Sequence, residues 1–172
     1  PSGRQQLLLM SDSELNQLGE QSFQQIRQQQ QVSSNTTQRN YARCVVDALV
    51  AELPDPWRGM NWEVEVFAEQ SPNAFALPGG KVGINAGMFD LAENQHQIAA
   101  VLGHEIGHVV FRHANERISR STLVGTGVQA TGILVGARTS PETAQSVAGL
   151  LGAGAQVGVM LPFSREQERE AD

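Results

Sequence analysis

Two histidines lie four residues apart in an apolar run, Val101-Leu102-Gly103-His104-Glu105-Ile106-Gly107-His108-Val109-Val110. Residues four apart lie on the same face of a helix, so the imidazoles of His104 and His108 project side by side. At that spacing, one nitrogen from each ring can reach a single Zn²⁺ at about 2.0–2.1 Å. Burying such a polar group without a partner is costly. The run therefore predicts a metal-binding helix.

Glu105 directly follows the first histidine, which places its carboxylate beside the predicted metal and not on it. A carboxylate in that position can take a proton from a zinc-bound water. The complete pattern is His-Glu-x-x-His, in which two ligands and a general base share one helix. The alternative is a polar stripe on a helix surface. We predict Glu105 as the general base.

A catalytic zinc needs a third protein ligand and an open position for water. His113 follows His108 by five residues, which does not match the spacing of a third histidine six residues after the second with a glycine between them. Further along, Ser164 and Gln167 have the spacing of a capping box, which predicts that a helix begins there.

Glu168 and Asp172 lie four residues apart on one face of that predicted helix. One carboxylate could bind zinc while the other accepts the N–H of a zinc-bound histidine. The competing interpretation is a solvated charged helix, because Arg165 and Arg169 alternate with the acidic residues. Spacing alone leaves both open.

Composition limits the remaining function classes. A chain of 172 residues with 40% hydrophobic and 17% charged side chains fits one globular domain and neither a charge-rich disordered tail nor an ordinary multi-pass membrane protein. The net charge of −6 argues against nucleic acid as a partner. One cysteine, Cys44, excludes a cysteine-based zinc cluster and an intramolecular disulfide, and its apolar neighbours predict a buried thiol.

Hydrophobic periodicity predicts a mostly helical α+β chain with a small sheet of about three strands. The predicted helices are 11–31, 38–53 and 95–113, and the predicted strands are 62–67, 74–77 and 81–85. Two uncharged stretches follow, 122–137 and 143–163. Their small residues favour closely packed helices, and a pair of membrane spans stays open as the alternative.

Three ordered motifs resemble the zinc metallopeptidases related to HtpX and the CAAX prenyl proteases, and most of all their bacterial periplasmic members of the BepA and LoiP type. The resemblance covers about residues 60–172. It rests on Ala99–His108, on Ser164-Arg165-x-x-Glu168-x-x-Ala171-Asp172, and on Asn73–Gly80 followed by Val82, Ile84 and Gly87.

The resemblance implies one Zn²⁺ per chain held by His104, His108 and Glu168, with Glu105 as the catalytic base and acid. Asp172 stands where the family's last aspartate holds a zinc-binding histidine. Family members also use a downstream histidine or arginine at the oxyanion. The chain stops at Asp172, before any such residue, so we expect the catalytic core to continue beyond it.

The implied fold is zincin-like, with the sheet lying over the active-site helix. Residues 1–57 would form an N-terminal helical part of the same domain, and residues 58–172 would form the catalytic core. In zincins, an edge strand above the helix pairs with substrate as an added β-strand. Lys81–Asn85 would be that edge, with Val82, Gly83, Ile84 and Asn85 as the substrate-binding residues.

The implied function is zinc-dependent hydrolysis of peptide bonds in unfolded or misassembled proteins of the bacterial envelope. The implied location is the periplasm, with membrane attachment through an upstream lipid anchor or through residues 122–163. Two alternatives stay open: a latent peptidase that acts as a zinc-binding chaperone or assembly factor, with 122–163 as its lid or partner site, and a membrane-inserted protease.

Overall fold

The computed structural model of the protein describes residues 3–123, 141–157 and 163–172. Within these ranges the chain forms helices and one small sheet. The helices are α1 (Asp12–Gln29), α2 (Thr36–Ala51), a 3₁₀ turn (Trp57–Gly59), α3 (Ala86–Leu91), α4 (Gln95–Val110), α5 (His113–Leu123), α6 (Pro141–Ala148), a π-helical segment (Gly149–Ala153), α7 (Gly154–Val157) and α8 (Arg165–Ala171); the strands are β1 (Glu63–Phe67), β2 (Ala74–Leu77) and β3 (Lys81–Asn85).

The sheet confirms the prediction of an α+β chain with three strands. Its strand order is β1-β3-β2, with β3 parallel to β1 and antiparallel to β2. The hairpin between β2 and β3 turns at Gly79 and Gly80, whose φ angles of +88° and +80° are accessible to glycine at little cost.

The expectation that Lys81–Asn85 is an edge strand is wrong. β3 is the central strand of the sheet, and Val82, Gly83, Ile84 and Asn85 are all buried. Because β1 pairs with one side of β3 and β2 with the other, its backbone groups already bond within the sheet. No further strand among the described residues pairs with the outer side of β2.

Helix α4, which carries both histidines predicted as ligands, lies against the sheet through its apolar face. Ile98, Leu102 and Ile106 of α4 are each at most 3% exposed and pack in one core cluster with Val82 and Ile84 of β3. A second cluster joins α1 to the sheet and to the helices after α4. This packing fixes the position of α4, which carries the predicted site.

Two local predictions fail for identifiable reasons. Helix α4 ends at Val110 and not at His113, because the chain turns at Arg112, whose φ is +57°. Cys44 is exposed, although its neighbours predicted burial. Ala42 and Val46 form the buried stripe of α2, and a residue midway between them faces the opposite side of a helix.

Among the described residues, no helix is both long enough and apolar enough to cross a bilayer. The stretch 122–163, which carried the expectation of a lid, a partner site or a membrane segment, is described at residues 122–123, 141–157 and 163. Residues 124–140 and 158–162, which also carry those expectations, lie outside the described part of the chain.

Candidate metal centre and active site

Three side chains bring one potential ligand atom each to a common point. The Nε2 atoms of His104 and His108 lie 3.2 Å apart. Oε2 of Glu168 lies 2.8 Å from Nε2 of His104 and 3.7 Å from Nε2 of His108. These three residues, predicted as ligands from different parts of the sequence, therefore form one compact triangle.

The triangle fits a tetrahedral metal ion. Ligands about 2.0–2.1 Å from a tetrahedral centre stand about 3.3–3.4 Å apart, and the three separations bracket that value. Two imidazoles and one carboxylate are also a donor set that catalytic zinc sites use. Glu168 retains 42% of its side-chain exposure, so the side of the triangle nearest to it is open to solvent.

Asp172 holds the other nitrogen of the first histidine. Its Oδ1 lies 2.7 Å from Nδ1 of His104, so a proton on Nδ1 leaves the Nε2 lone pair directed at the triangle. Ser164 caps the start of α8, and its hydroxyl and backbone both take part in a capping box with Gln167. That start places Glu168 and Asp172 on one face, one turn apart, against the same imidazole.

Glu105 follows His104 on α4 and is half-buried, and its carboxyl interacts electrostatically with both His104 and Glu168 of the triangle. Burial of its carboxyl raises its pKa to about 7, the range that suits a general base near neutral pH. The positive charge of a metal would lower that pKa and favour the carboxylate. Within the described part of the chain, no side chain hydrogen-bonds this carboxyl, which leaves it able to bind a water.

A cavity of about 170 Å³ adjoins His108. Its walls are mostly apolar and include Leu15, Trp57, Ala76, Leu151 and Phe163. The Phe163 ring stacks on the His108 imidazole with centroids 4.0 Å apart, and the Arg117 guanidinium lies 3.6 Å from the same ring. Because Ala76 belongs to β2, the cavity joins the outer strand of the sheet to the candidate metal centre.

The comparison with protein families agrees with this geometry. The sequence profile of Peptidase family M48 matches residues 36–172, which includes every residue of the triangle. The chain belongs to peptidase family M48. The resemblance to zinc metallopeptidases is thereby confirmed at the level of this family, whose members depend on a metal that is generally zinc.

The proteins similar to this chain are named as peptidases, some of mitochondria and some that enhance β-barrel assembly. "Mitochondrial metalloendopeptidase OMA1" of Schizosaccharomyces pombe is 36% identical over 113 residues, which is 66% of this chain and 31% of that protein. The protein of the same name from Arabidopsis thaliana is 32% identical over 114 residues, or 66% of this chain and 21% of its own length. "Beta-barrel assembly-enhancing protease" of Escherichia coli is 40% identical over 105 residues, or 58% and 21%. The chain thus spans about a fifth to a third of these relatives.

Gly107 is a site residue of this M48 chain that sequence analysis missed. A Cβ at this position would lie 2.8 Å from the carbonyl oxygen and 3.0 Å from the Cα of Ala171. The glycine therefore lets α8 approach α4 closely enough for Glu168 and Asp172 to reach His104. The pattern His-Glu-x-x-His places no constraint on this position, so only the approach of α8 shows what it does.

Gly107→Ala is expected to destabilise the fold by about 1–3 kcal/mol, because α8 must move away from α4 to admit the methyl group. The matched control is Gly103→Ala on the same helix, where the nearest atom to an added Cβ is 3.8 Å away. Alanine should there stabilise the helix by about 0.5–1 kcal/mol. Urea unfolding of both variants makes the comparison, and equal stability of the two would contradict the close-approach role.

His113 is the second residue whose contact was missed. Its Nδ1 lies 2.8 Å from Nδ1 of His108, and its Nε2 lies 2.7 Å from Oε2 of Glu170. Burial lowers the pKa of His108 to about 3, so that imidazole is neutral at pH 7. A continuous helix would carry His113 away from His108, since five residues correspond to about 140° beyond a full turn. The turn at Arg112 brings the two rings together.

Beyond His113 lies a network of buried charges. Arg4 donates to both carboxylate oxygens of Glu116 at 2.7 Å and to those of Glu170 at 2.7 and 3.0 Å. Gln167 donates to Glu116 at 2.9 Å. The hydrogen bonds from Arg4 hold the pKa of Glu116 at about 2, so its carboxylate stays charged although it is fully buried. The network joins the N-terminal segment, α5 and α8 beneath the candidate metal centre.

Proposed function

We propose that this chain hydrolyses peptide bonds as a zinc-dependent metalloendopeptidase with a zincin-like arrangement. The observation that carries the proposal is the triangle of His104, His108 and Glu168 with the Glu105 carboxyl beside it. Membership of peptidase family M48 supports the same activity. The peptidase names of the relatives support it as well.

His104, His108 and Glu168 would hold one Zn²⁺, since their atoms have the type and spacing that a tetrahedral ion requires. Asp172 would orient His104 by accepting its Nδ1–H. When bound, the ion supplies Lewis-acid polarisation of a peptide carbonyl and lowers the pKa of water.

Glu105 takes a proton from the attacking water, whose oxygen forms the new bond to the carbonyl carbon. It then delivers that proton to the amide nitrogen as the C–N bond breaks, so one carboxyl serves as base and then as acid. Burial favours the protonated form of Glu105 and the positive charge of a bound metal would favour its carboxylate, so the group is suited to gain and lose a proton in turn.

The substrate would pair with the outer side of β2, and not with β3 as the sequence had predicted. Ala76 of β2 and His108 line the same cavity, so a peptide paired with this strand would pass the metal centre. The apolar walls of the cavity would then accept an apolar side chain next to the cleaved bond. Unfolded polypeptides, which expose both backbone and apolar side chains, are the substrate class that such a site takes.

The biological role we propose is quality control of unfolded or misassembled proteins in the bacterial envelope, at the periplasmic side. The relative named for β-barrel assembly supports the envelope, and the relatives named as mitochondrial place similar domains in an organelle. Attachment through a lipid anchor upstream of this chain belongs to the same proposal.

One observation favours a second candidate, a latent peptidase that acts as a zinc-binding chaperone. Phe163 lies flat on the His108 ring, and the position of a Cβ on Gly152 would be 3.7 Å from the carbonyl oxygen of Ala76. Gly152 and Phe163 themselves therefore lie in space that a peptide on β2 would use. Such a chain would bind zinc and unfolded protein without cutting it.

The test is incubation of the zinc-loaded protein with an unfolded polypeptide such as reduced casein. If the protein is a peptidase, fragments should form, should no longer form in the presence of a zinc chelator, and should form again when zinc is added back. If the protein is a chaperone, it should keep its bound zinc and suppress aggregation of the casein without producing fragments. Cleavage that persists at full rate in excess chelator, with zinc shown to be removed, would contradict both.

A further inference from the structure

A series of polar side chains extends from His108 through His113 and Glu170 to Arg4. These side chains have no part in the proposed reaction, although they are largely buried and make short contacts. We propose that His113 and Glu170, anchored by Arg4, form a positioning chain that fixes the His108 imidazole for metal binding. The inference rests on the proposed metal site, and it assigns a task to residues that do not touch the metal. His113 and Glu170 are thus positioning residues.

The contacts run in one line from the metal centre into the core. His108 Nδ1 meets His113 Nδ1 at 2.8 Å, and His113 Nε2 meets Glu170 Oε2 at 2.7 Å. The His113 side chain is 0% exposed and that of Glu170 is 12% exposed. Water therefore does not compete for these hydrogen bonds, and the partners of both rings are set by the protein.

Only one arrangement of protons satisfies this chain when His108 binds a metal through Nε2. A neutral His108 then carries its proton on Nδ1 and donates it to Nδ1 of His113. His113 must in turn carry its own proton on Nε2, which it donates to the Glu170 carboxylate. The negative charge of Glu170 thus selects the tautomer of two successive imidazoles and leaves the His108 Nε2 lone pair available to the metal.

Helix α8 carries both Glu170 of this positioning chain and the proposed metal ligand Glu168. Glu168 contacts both metal-binding histidines, and Glu170, two residues later, contacts His113. Arg4 bridges Glu170 to the buried carboxylate of Glu116 on α5. The positioning chain therefore sets the tautomer of His108. It also holds α8 at the distance from the two histidines that Glu168 requires to act as a ligand.

The alternative is that these residues only satisfy one another's buried charges and contribute to stability. Metal affinity separates the two roles. Groups that orient a metal-bound imidazole typically contribute 10–100-fold to metal affinity. If these residues contributed only to stability, replacing them would leave the zinc dissociation constant of the folded protein unchanged. Zinc affinity of variants shown to be folded is therefore the deciding readout.

The experiment measures zinc dissociation constants by competition with a chromogenic chelator, with circular dichroism as the check of folding. His113→Leu removes the acceptor for His108 and should weaken zinc binding by about 10–100-fold. His113→Asn retains an acceptor oxygen near the position of Nδ1 and should recover part of that loss. The matched controls are His96→Leu and Glu166→Gln, both at exposed positions, and they should bind zinc as the wild type does.

Glu170→Gln is the second test, chosen because its side chain is less buried than His113 and its replacement is close in shape. Without the carboxylate charge, the Nε2 proton of His113 is no longer fixed. Zinc affinity should fall, and the ¹⁵N resonances of the zinc-loaded protein should show a mixture of His113 tautomers. An unchanged affinity together with a single Nε2–H tautomer in Glu170→Gln would overturn the inference, even where His113→Leu fails to fold.

His104→Ala separates this inference from the function on which it rests. If His104→Ala binds zinc as well as the wild type, the proposed metal site is wrong. If His104→Ala loses zinc while folded His113→Leu retains wild-type affinity, the site stands and the positioning chain is overturned. Loss in His104→Ala, an intermediate loss in His113→Leu and partial recovery in His113→Asn support both.

Discussion

Replacing Glu105 by glutamine is expected to lower peptide hydrolysis by about 10²–10⁴-fold, the range that general acid–base catalysis contributes. Glutamine keeps the size of the side chain but cannot take a proton from water or return it to the leaving amine. Because Glu105 stands beside the metal triangle and not in it, zinc content should remain one ion per chain. The measurement is the initial rate of casein cleavage, paired with elemental analysis of the same sample.

Glu93→Gln is the matched control, since Glu93 is exposed just before the same helix. It should cleave casein as fast as the wild type. Loss of zinc in Glu105→Gln would mean that the carboxyl helps to hold the metal. A wild-type rate in Glu105→Gln with zinc retained would contradict the assignment of Glu105 as the catalytic base.

Replacing Glu168 by alanine is expected to weaken zinc binding by more than about 100-fold and to remove measurable hydrolysis. The carboxylate is the third ligand of the proposed site, so its loss should exceed the 10–100-fold cost of removing an orienting partner. Misfolding is a minor concern for this variant, since 42% of the Glu168 side chain faces solvent. Zinc competition titration gives the affinity, and casein cleavage gives the rate.

Glu166→Ala serves as the control, because Glu166 lies on the first turn of the same helix and is exposed. It removes an equal charge without touching the triangle. If Glu166→Ala and Glu168→Ala weaken zinc binding equally, the effect is one of net charge. Full stoichiometric zinc of wild-type affinity in Glu168→Ala would remove Glu168 from the proposed site.

Much of the candidate site follows from local sequence. The spacing of His104 and His108 specifies a shared helix face whatever the rest of the chain does. The capping box at Ser164 fixes where α8 begins, and that start determines which acidic residues share a face. Spacing alone could not say that Glu168 and Asp172 face His104, 64 and 68 residues earlier in the chain; the family resemblance supplied that.

The failures involve contacts between distant segments. The order of strands depends on which side of β3 receives β1, and the residues of β3 carry no sign of it. His113 was set aside because its spacing from His108 does not match that of a third histidine ligand, and the turn at Arg112 brings the two rings together in another role. Gly107 matters only because α8 packs there. Each of these depends on tertiary packing, which hydrophobic periodicity does not encode.

The proposed activity depends on one zinc ion held by His104, His108 and Glu168 next to Glu105. An anomalous difference map at the zinc absorption edge, from crystals of the zinc-loaded protein, tests it most directly. We expect one peak at about 2.0–2.1 Å from Nε2 of both histidines and from a carboxylate oxygen of Glu168. A peak held by other residues, or no peak at these three in crystals whose protein contains zinc, would contradict it.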